Sequence, residues 1–258
     1  MQPRIRAHGV GKVFETTSGT VTALENVTLN VREGEFVCIV GPSGCGKSTF
    51  LRMLAGLSSV SSGTLTIDHD VSSDKPLTSV VFQEYAIFPW KTVLSNVAFG
   101  LEMRGVNKKT RLETARVWLE RVGLSKFANY YPRQLSGGMK QRVAIARALA
   151  NDPEVLLMDE PLGALDAQTK TILQEELLNL WEMHRKTVVY ITHSIDEAIL
   201  LGDRVVVMTA HPGTIKTVFE VDIARPRTLE TSRSQAFNEL ARAVWNALED
   251  EVHRARAA

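Results

Sequence analysis

The stretch Gly41-Pro42-Ser43-Gly44-Cys45-Gly46-Lys47-Ser48-Thr49 constrains this 258-residue chain more than any other. It fits the pattern GxxxxGK[ST], follows the apolar run Phe36–Val40 and precedes a segment from Ser48 to Leu57 that reads as a helix. Glycines at such positions let backbone N–H groups converge on phosphate oxygens that a Cβ would keep away. The start of the following helix adds a partial positive charge. Lys47 is placed to reach the outer phosphates, and the Ser48 hydroxyl to bind Mg2+. Buried strand, phosphate loop and helix in that order begin an α/β fold.

The surrounding pattern continues it. Val27, Leu29 and Val31 alternate with polar residues, and Arg32-Glu33-Gly34-Glu35 then turns the chain into Phe36–Val40. This reads as an exposed antiparallel strand followed by a fully buried one. Further strands are expected at Thr64–Ile67, Val155–Met158, Val188–Thr192 and Val205–Met208. One intervening helix opens on Asp166 and carries Ile172, Leu173, Leu177, Leu180 and Trp181. Another starts with a capping box of Ser194 and Glu197 and ends at Gly202. Asn107–Val122 is an amphipathic helix stopped by Gly123, and a further helix begins near Ser136.

Strands alternating with helices imply a mainly parallel sheet covered on both faces, with an antiparallel part near the N-terminus. Residues from about 86 to 152 read as wholly helical, a subdomain outside the sheet. The expected domain spans residues 1–222. Residues 223–258 form a short C-terminal extension with one helix-like segment, Ala236–Glu251, and a basic tail.

Composition narrows the partners. The formal net charge of +1 supplies no field to hold a polyanion, which argues against nucleic acid. The longest apolar runs are strand-sized, far from the roughly 18 residues of a membrane span. The segment MQPRIRAHGV lacks the apolar stretch of a signal peptide, so any membrane is expected to be served from its cytoplasmic side. Cys38 and Cys45 are too few for a disulfide framework or a zinc site and read as reduced thiols.

A second motif, Val155-Leu156-Leu157-Met158-Asp159-Glu160-Pro161, ends a buried strand in two carboxylates. Such a pair is costly unless it holds a cation or a water. Taken alone it also fits a helix cap or a surface pair. Beside a phosphate loop it reads as Asp159 on the Mg2+ side, acting through coordinated water, and Glu160 orienting and deprotonating the attacking water.

A third motif, Leu135-Ser136-Gly137-Gly138-Met139-Lys140-Gln141, sets bare N–H groups and a helix dipole at an exposed helix start. Here the chain resembles the ABC ATPase family, whose signature LSGGQ it follows with Met139 in place of the usual glutamine. The resemblance implies a P-loop NTPase fold with an inserted helical subdomain, and ATP and Mg2+ as ligands. Ser136, Gly137 and Gly138 would meet the γ-phosphate held by a partner subunit, so the family implies a homodimer or a heterodimer with a similar ATPase. Other family positions follow in order. Gln83 is similar to the glutamine that touches Mg2+ and water, and His193 to the switch histidine on the γ-phosphate. Gly163-Ala164-Leu165-Asp166 resembles the D-loop, with Gly163 where serine is common, and Phe14 is the candidate platform for adenine. Among these residues Lys47, Glu160 and His193 carry the catalytic expectation.

The aromatic segment Tyr85-Ala86-Ile87-Phe88-Pro89-Trp90 is either subdomain core or an apolar groove receiving a helix of a membrane subunit; the groove is favoured. FPWKTVLSNVAFGLEMRG and HPGTIKTVFEVDIARPR resemble the subfamily of nitrate, sulfonate, taurine and bicarbonate importers. That likeness implies two membrane-spanning permease subunits, a periplasmic or lipoprotein substrate-binding protein reached through them, and a peripheral place at the cytoplasmic face of the inner membrane. Exporter, lipid-handling and DNA-maintenance ATPases of the same family are the competing readings. Against the last, only about 90 residues separate the phosphate loop from Ser136, with no sustained heptads.

Overall fold

The computed structural model describes residues 3–17, 19–69, 74–228 and 230–257. In chain order its strands and helices are β1 (Pro3–Thr16), β2 (Gly19–Arg32), β3 (Phe36–Val40), α1 (Lys47–Leu54), β4 (Ser62–Ile67), β5 (Thr78–Val81), α2 (Val93–Val97), α3 (Phe99–Met103), α4 (Lys108–Arg121), α5 (Gly137–Ala150), β6 (Val155–Asp159), α6 (Ala167–His184), β7 (Thr187–Ile191), α7 (Ile195–Leu201), β8 (Arg204–Met208), β9 (Ile215–Glu220) and α8 (Gln235–Ala257). They fall into two compact units, Met1–Asp70 with His184–Ala258, and Val71–Met183.

The first unit holds two sheets. In one, β1 lies between β2 and β4 and is antiparallel to both. The alternation on β2 sets its register: Val27, Leu29 and Val31 point inward opposite Val10, Ala7 and Ile5. In the other, β3 lies between β7 and β8, parallel to both, and β9 returns antiparallel along β8. Every residue of β3 and β7 is buried, as continuous apolar runs in a parallel sheet require. The long β1, and β9, were not expected from the sequence, because bulges interrupt the alternation of β1 at Ala7–Val13 and β9 is half-exposed throughout.

The second unit pairs β5 parallel to β6. No strand lies between them among the described residues; that stretch carries α2 to α5. Its helices pack through Val93, Val97, Leu101, Ala115, Leu119, Val143 and Ala144, all buried. α4 is capped by Asn107, whose side chain accepts from the Thr110 N–H, and it stops before Gly123, as read from the sequence; Gly123 lies in the left-handed region. Leu112 and Ile172, expected in the core, are half-buried and exposed respectively.

α8 runs longer than the Ala236–Glu251 expected and belongs to the first unit. It packs on α7, β8 and β9 and buries Phe237, Val244 and Leu248. Arg227 prepares this packing from inside: its buried guanidinium donates to the carbonyls of Ile199, Val221 and Ile223, and so closes the C-terminal end of α7.

Candidate nucleotide site

Gly41 to Thr49 leave the carboxyl end of β3 and turn into α1. Gly44 and Gly46 lie in the left-handed region, with φ of 77° and 96°. At Gly46 glycine is also required by space, since a Cβ would stand 2.8 Å from the Ala23 carbonyl oxygen and 2.6 Å from the Leu24 side chain. Ser43 and Gly44 are exposed, Gly41, Pro42 and Cys45 buried, and Ser48 and Thr49 half-buried. Lys47 is buried, and its ammonium donates to the carbonyls of Gly41 at 2.9 Å and Pro42 at 2.8 Å. A buried ammonium whose partners are two neutral carbonyls and the Cys45 thiol retains capacity for an anion. Burial pushes the Cys45 thiol up against the opposing pull of Lys47, so it stays protonated at neutral pH.

His193 leaves the neighbouring strand at the same edge. β7 runs parallel to β3, with Ile191 opposite Ile39, and the Thr192 N–H donates to the Ile39 carbonyl. Open α/β sheets place ligands beyond the carboxyl ends of such strands. His193 is exposed, on a turn fixed from beneath. The Ser194 N–H donates to Thr192 Oγ1, and Tyr190 and Thr192 donate their hydroxyls to the buried Glu197 carboxylate. Glu197, expected only as half of a capping box, therefore also holds the histidine turn. Phe14 is 40% exposed on β1, with the Lys12 ammonium 5.0 Å from its ring centroid. It is not a core residue.

The second unit carries the other motifs. Asp159 is buried at the end of β6, and the next residue, Glu160, has φ of 45°. A side chain larger than glycine rarely occupies that region, and such strain concentrates at functional sites. Gln83 donates from Nε2 to Glu160 Oε2 at 3.4 Å, so the structure brings these two predicted residues together. Ser136 caps α5 by accepting from the Met139 N–H at 3.3 Å. The cap takes only the backbone N–H of residue 139, so it does not depend on the side chain there. Both following glycines are sterically confined: a Cβ at Gly137 would meet the Tyr85 hydroxyl at 2.8 Å, and one at Gly138 the Thr169 methyl at 2.5 Å. Asp166 caps α6 through the Thr169 N–H, a bond that lowers its carboxyl below the ordinary range. A Cβ at Gly163 would make only ordinary contact, 3.4 Å from the Glu160 carbonyl oxygen, so space does not demand glycine there.

Two residues that sequence reasoning missed organise the aromatic loop. Asn96 is fully buried; its Oδ1 accepts from the Phe88 N–H and its Nδ2 donates to the carbonyls of Phe88, Lys91 and Thr92. Arg147 donates to the Ala86 carbonyl at 2.7 Å and lies 5.6 Å over the Phe88 ring, its pKa lowered by burial. In the sequence each is only a polar residue among apolar neighbours, which does not show what it bonds. Trp90 is 71% exposed. Beside it, Gln83, Tyr85, Ile87, Pro89, Pro132 and Lys140 line a groove of about 580 Å³.

Comparison with known proteins identifies the family. Residues 24–163 match the family model described as ABC transporter. An uncharacterized ABC transporter ATP-binding protein of Methanocaldococcus jannaschii is 50% identical over 253 residues, covering 98% of this chain and 94% of that protein. The nitrate import ATP-binding protein of Synechocystis is 47% identical over 229 residues, 88% of this chain and 85% of its own. The aliphatic sulfonates import ATP-binding protein of Bacillus cereus is 44% identical over 241 residues, 93% and 94% of the two chains. A solved dimeric cassette in a post-hydrolysis state, MJ0796 bound to ADP and Pi, superposes with a TM-score of 0.75 at 35% identity, covering 85% of this chain and all of that one. The relatives match over nearly the whole length, and the chain belongs to the ABC transporter family as an ATP-binding, ATP-hydrolysing subunit.

Proposed function

We propose that this subunit powers the uptake of a small anion or sulfonate-like solute by a bacterial ABC importer. The observation that carries the reading is the buried Lys47 ammonium, held by its own loop's carbonyls inside a glycine cradle where a Cβ does not fit. Such a cradle suits a triphosphate. The importer class is supported by relatives named for nitrate and aliphatic sulfonate import.

In this reading Gly41 to Thr49 bind the phosphates, Phe14 stacks on adenine and His193 contacts the γ-phosphate. Ser48, Asp159 and Gln83 are the donors for Mg2+. Among the described residues no cluster of three or more His, Cys, Asp or Glu is placed to hold a metal ion. The donor set is instead hydroxyl, carboxylate and amide oxygen, the hard ligands Mg2+ takes when substrate phosphates complete its shell. When bound, the ion would neutralise charge developing on the phosphates. Glu160, oriented by Gln83, accepts the proton of the attacking water.

Ser136, Gly137, Gly138 and Asp166 would act on the nucleotide of a second subunit, a homodimer or a close heterodimer, as the dimeric cassettes support. The ATP-binding domain in this reading spans residues 1–222, with a helical subdomain at about 86–152 and residues 223–258 attached to it. The groove beside Trp90 receives a helix from one of two permease subunits, and a substrate-binding protein acts through them. Among the described residues no helix is long and apolar enough to cross a membrane; the subunit is peripheral, at the cytoplasmic face. Nucleic acid has no part in the cycle.

Reconstitution with permease and binding-protein subunits tests the reading. ATPase activity should rise when the binding protein is loaded with nitrate, bicarbonate, taurine or an alkanesulfonate. Stimulation by none of these, or transport in the outward direction, would overturn it.

A further inference from the structure

Glu251, four turns beyond Phe237 on α8, is a carboxylate with 1% exposure, remote in sequence from every nucleotide motif. Burying a carboxylate is costly unless its oxygens are engaged, and both are. Oε2 accepts from the Ala210 N–H at 3.0 Å, and Oε1 accepts from Lys216 Nζ at 2.8 Å and Arg254 Nη1 at 3.3 Å. Burial pushes the Glu251 carboxyl up, but its bonds to Lys216 and the Ala210 N–H outweigh this and hold it below the ordinary range.

Both anchored groups belong to the β8–β9 hairpin. Its loop, residues 209–214, is closed by the Thr209 N–H on the Thr214 carbonyl, the Thr214 N–H on Thr209 Oγ1, and the Thr209 hydroxyl on the Pro212 carbonyl. At the far end of this loop Gly213 donates its N–H to the Ala23 carbonyl and accepts from the Glu25 N–H, each at 3.0 Å. A Cβ on Gly213 would collide with the Cys45 carbonyl oxygen, so the hairpin loop lies directly against the backbone of the phosphate loop. The start of that loop rests on the same hairpin, because a Cβ at Gly41 would stand 3.2 Å from the Met208 carbonyl oxygen. Ser43 and Gly44 face Glu251 and Arg254 across a cleft of about 530 Å³, with His211 and Pro212 also in its lining.

We propose that Glu251 is a positioning residue for nucleotide binding: by tying α8 to Ala210 and Lys216 it fixes the hairpin loop against which Cys45 is set. The C-terminal segment then sets the affinity of the phosphate cradle without touching the nucleotide. The proposal rests on the reading of Gly41–Thr49 as that cradle.

Equilibrium binding of a fluorescent ATP analogue to the full chain, read beside Tm, separates the two. Glu251→Ala is expected to weaken binding about fivefold, the scale of one ordinary hydrogen bond. Glu251→Gln keeps an acceptor for the Ala210 N–H and should restore affinity to within about twofold. Val244→Ala, which opens the buried face of α8, should lower Tm and leave affinity unchanged. Parent-like affinity in Glu251→Ala, or the same loss of affinity in Val244→Ala, overturns the proposal. Should Glu251→Ala not fold, Glu251→Asp decides: its carboxylate is drawn back from Ala210, and unchanged affinity there also overturns it. Lys47→Ala tests the cradle itself, and persistence of binding in that variant would remove the reading beneath the proposal rather than the role of Glu251.

Discussion

The two units treat their polar groups differently. In the first, the phosphate loop is over-determined: Lys47 is held by two carbonyls of its own loop, Gly41 and Gly46 leave no room for a Cβ, and the turn before His193 is fixed by Thr192, Tyr190 and Glu197. In the second, Glu160 sits in a strained backbone region, and both side-chain polar atoms of Gln141 are buried without a hydrogen-bond partner. One oxygen of Glu176 is likewise buried and unpaired. A site held in one geometry is prepared to bind, whereas strain and unmet hydrogen bonds leave free energy that a change of state can recover. The contrast is one between these two sites rather than between whole units, since Asn26 and Arg185 of the first unit also lie in the left-handed region.

The sharpest way to break that contrast is to disable each unit in turn. Lys47→Ala should abolish binding of nucleotide and with it turnover. Glu160→Gln should keep binding and lower kcat about 10²- to 10³-fold, the range for losing a general base. Nucleotide titration and phosphate release on both proteins test the pair. Equal binding losses in the two variants would erase the distinction. Next in size is Gly46→Ala, which forces a Cβ against the Ala23 carbonyl at a φ of 96°. It should destabilise by about 2–4 kcal/mol, read as a lowered midpoint in urea.

The same contrast explains what the sequence disclosed. Residue types at fixed spacing stand out in a sequence, so Gly41 to Thr49, Asp159-Glu160 and Ser136-Gly137-Gly138 could be picked out as motifs, and the apolar runs of β3, β6 and β7 were read as the buried strands they are. Positioning depends on tertiary contact, and spacing does not encode it. Asn96 holds the Phe88 loop, Glu197 the His193 turn, and Gly213 lies against Cys45 across a sequence gap no local pattern spans. β1 was illegible for a related reason: its bulges break the period of two from which a strand is read.

A smaller effect sharpens the idea that the second unit holds unmet polar groups for use. Gln141 lies in α5, three residues beyond the steric contact of Gly138 with Thr169. Replacing an orphaned amide by an apolar group of similar size removes a desolvation cost, so Gln141→Leu should stabilise the protein by about 1–2 kcal/mol. If that cost is retained for turnover, the same variant should hydrolyse ATP more slowly. A Tm that rises with kcat unchanged would leave the amide without a functional role.

The smallest expected effect lies in the pH dependence between α5 and α6. Burial pushes the Glu176 carboxyl up, and the Arg142 guanidinium at 3.2 Å only partly opposes it. Because its folded pKa exceeds the unfolded value of about 4.3, the folded protein binds the proton more tightly. Stability must then fall as pH rises through that window and be lowest, for this group, once the carboxyl is ionised in both states. Glu176→Gln removes the titration. Urea midpoints of parent and variant should therefore differ most at neutral pH, with the variant ahead, and converge as pH falls toward the unfolded value. A gap that widens on acidification would mean that Arg142 dominates the site, and that this contact is a satisfied ion pair like those of the first unit.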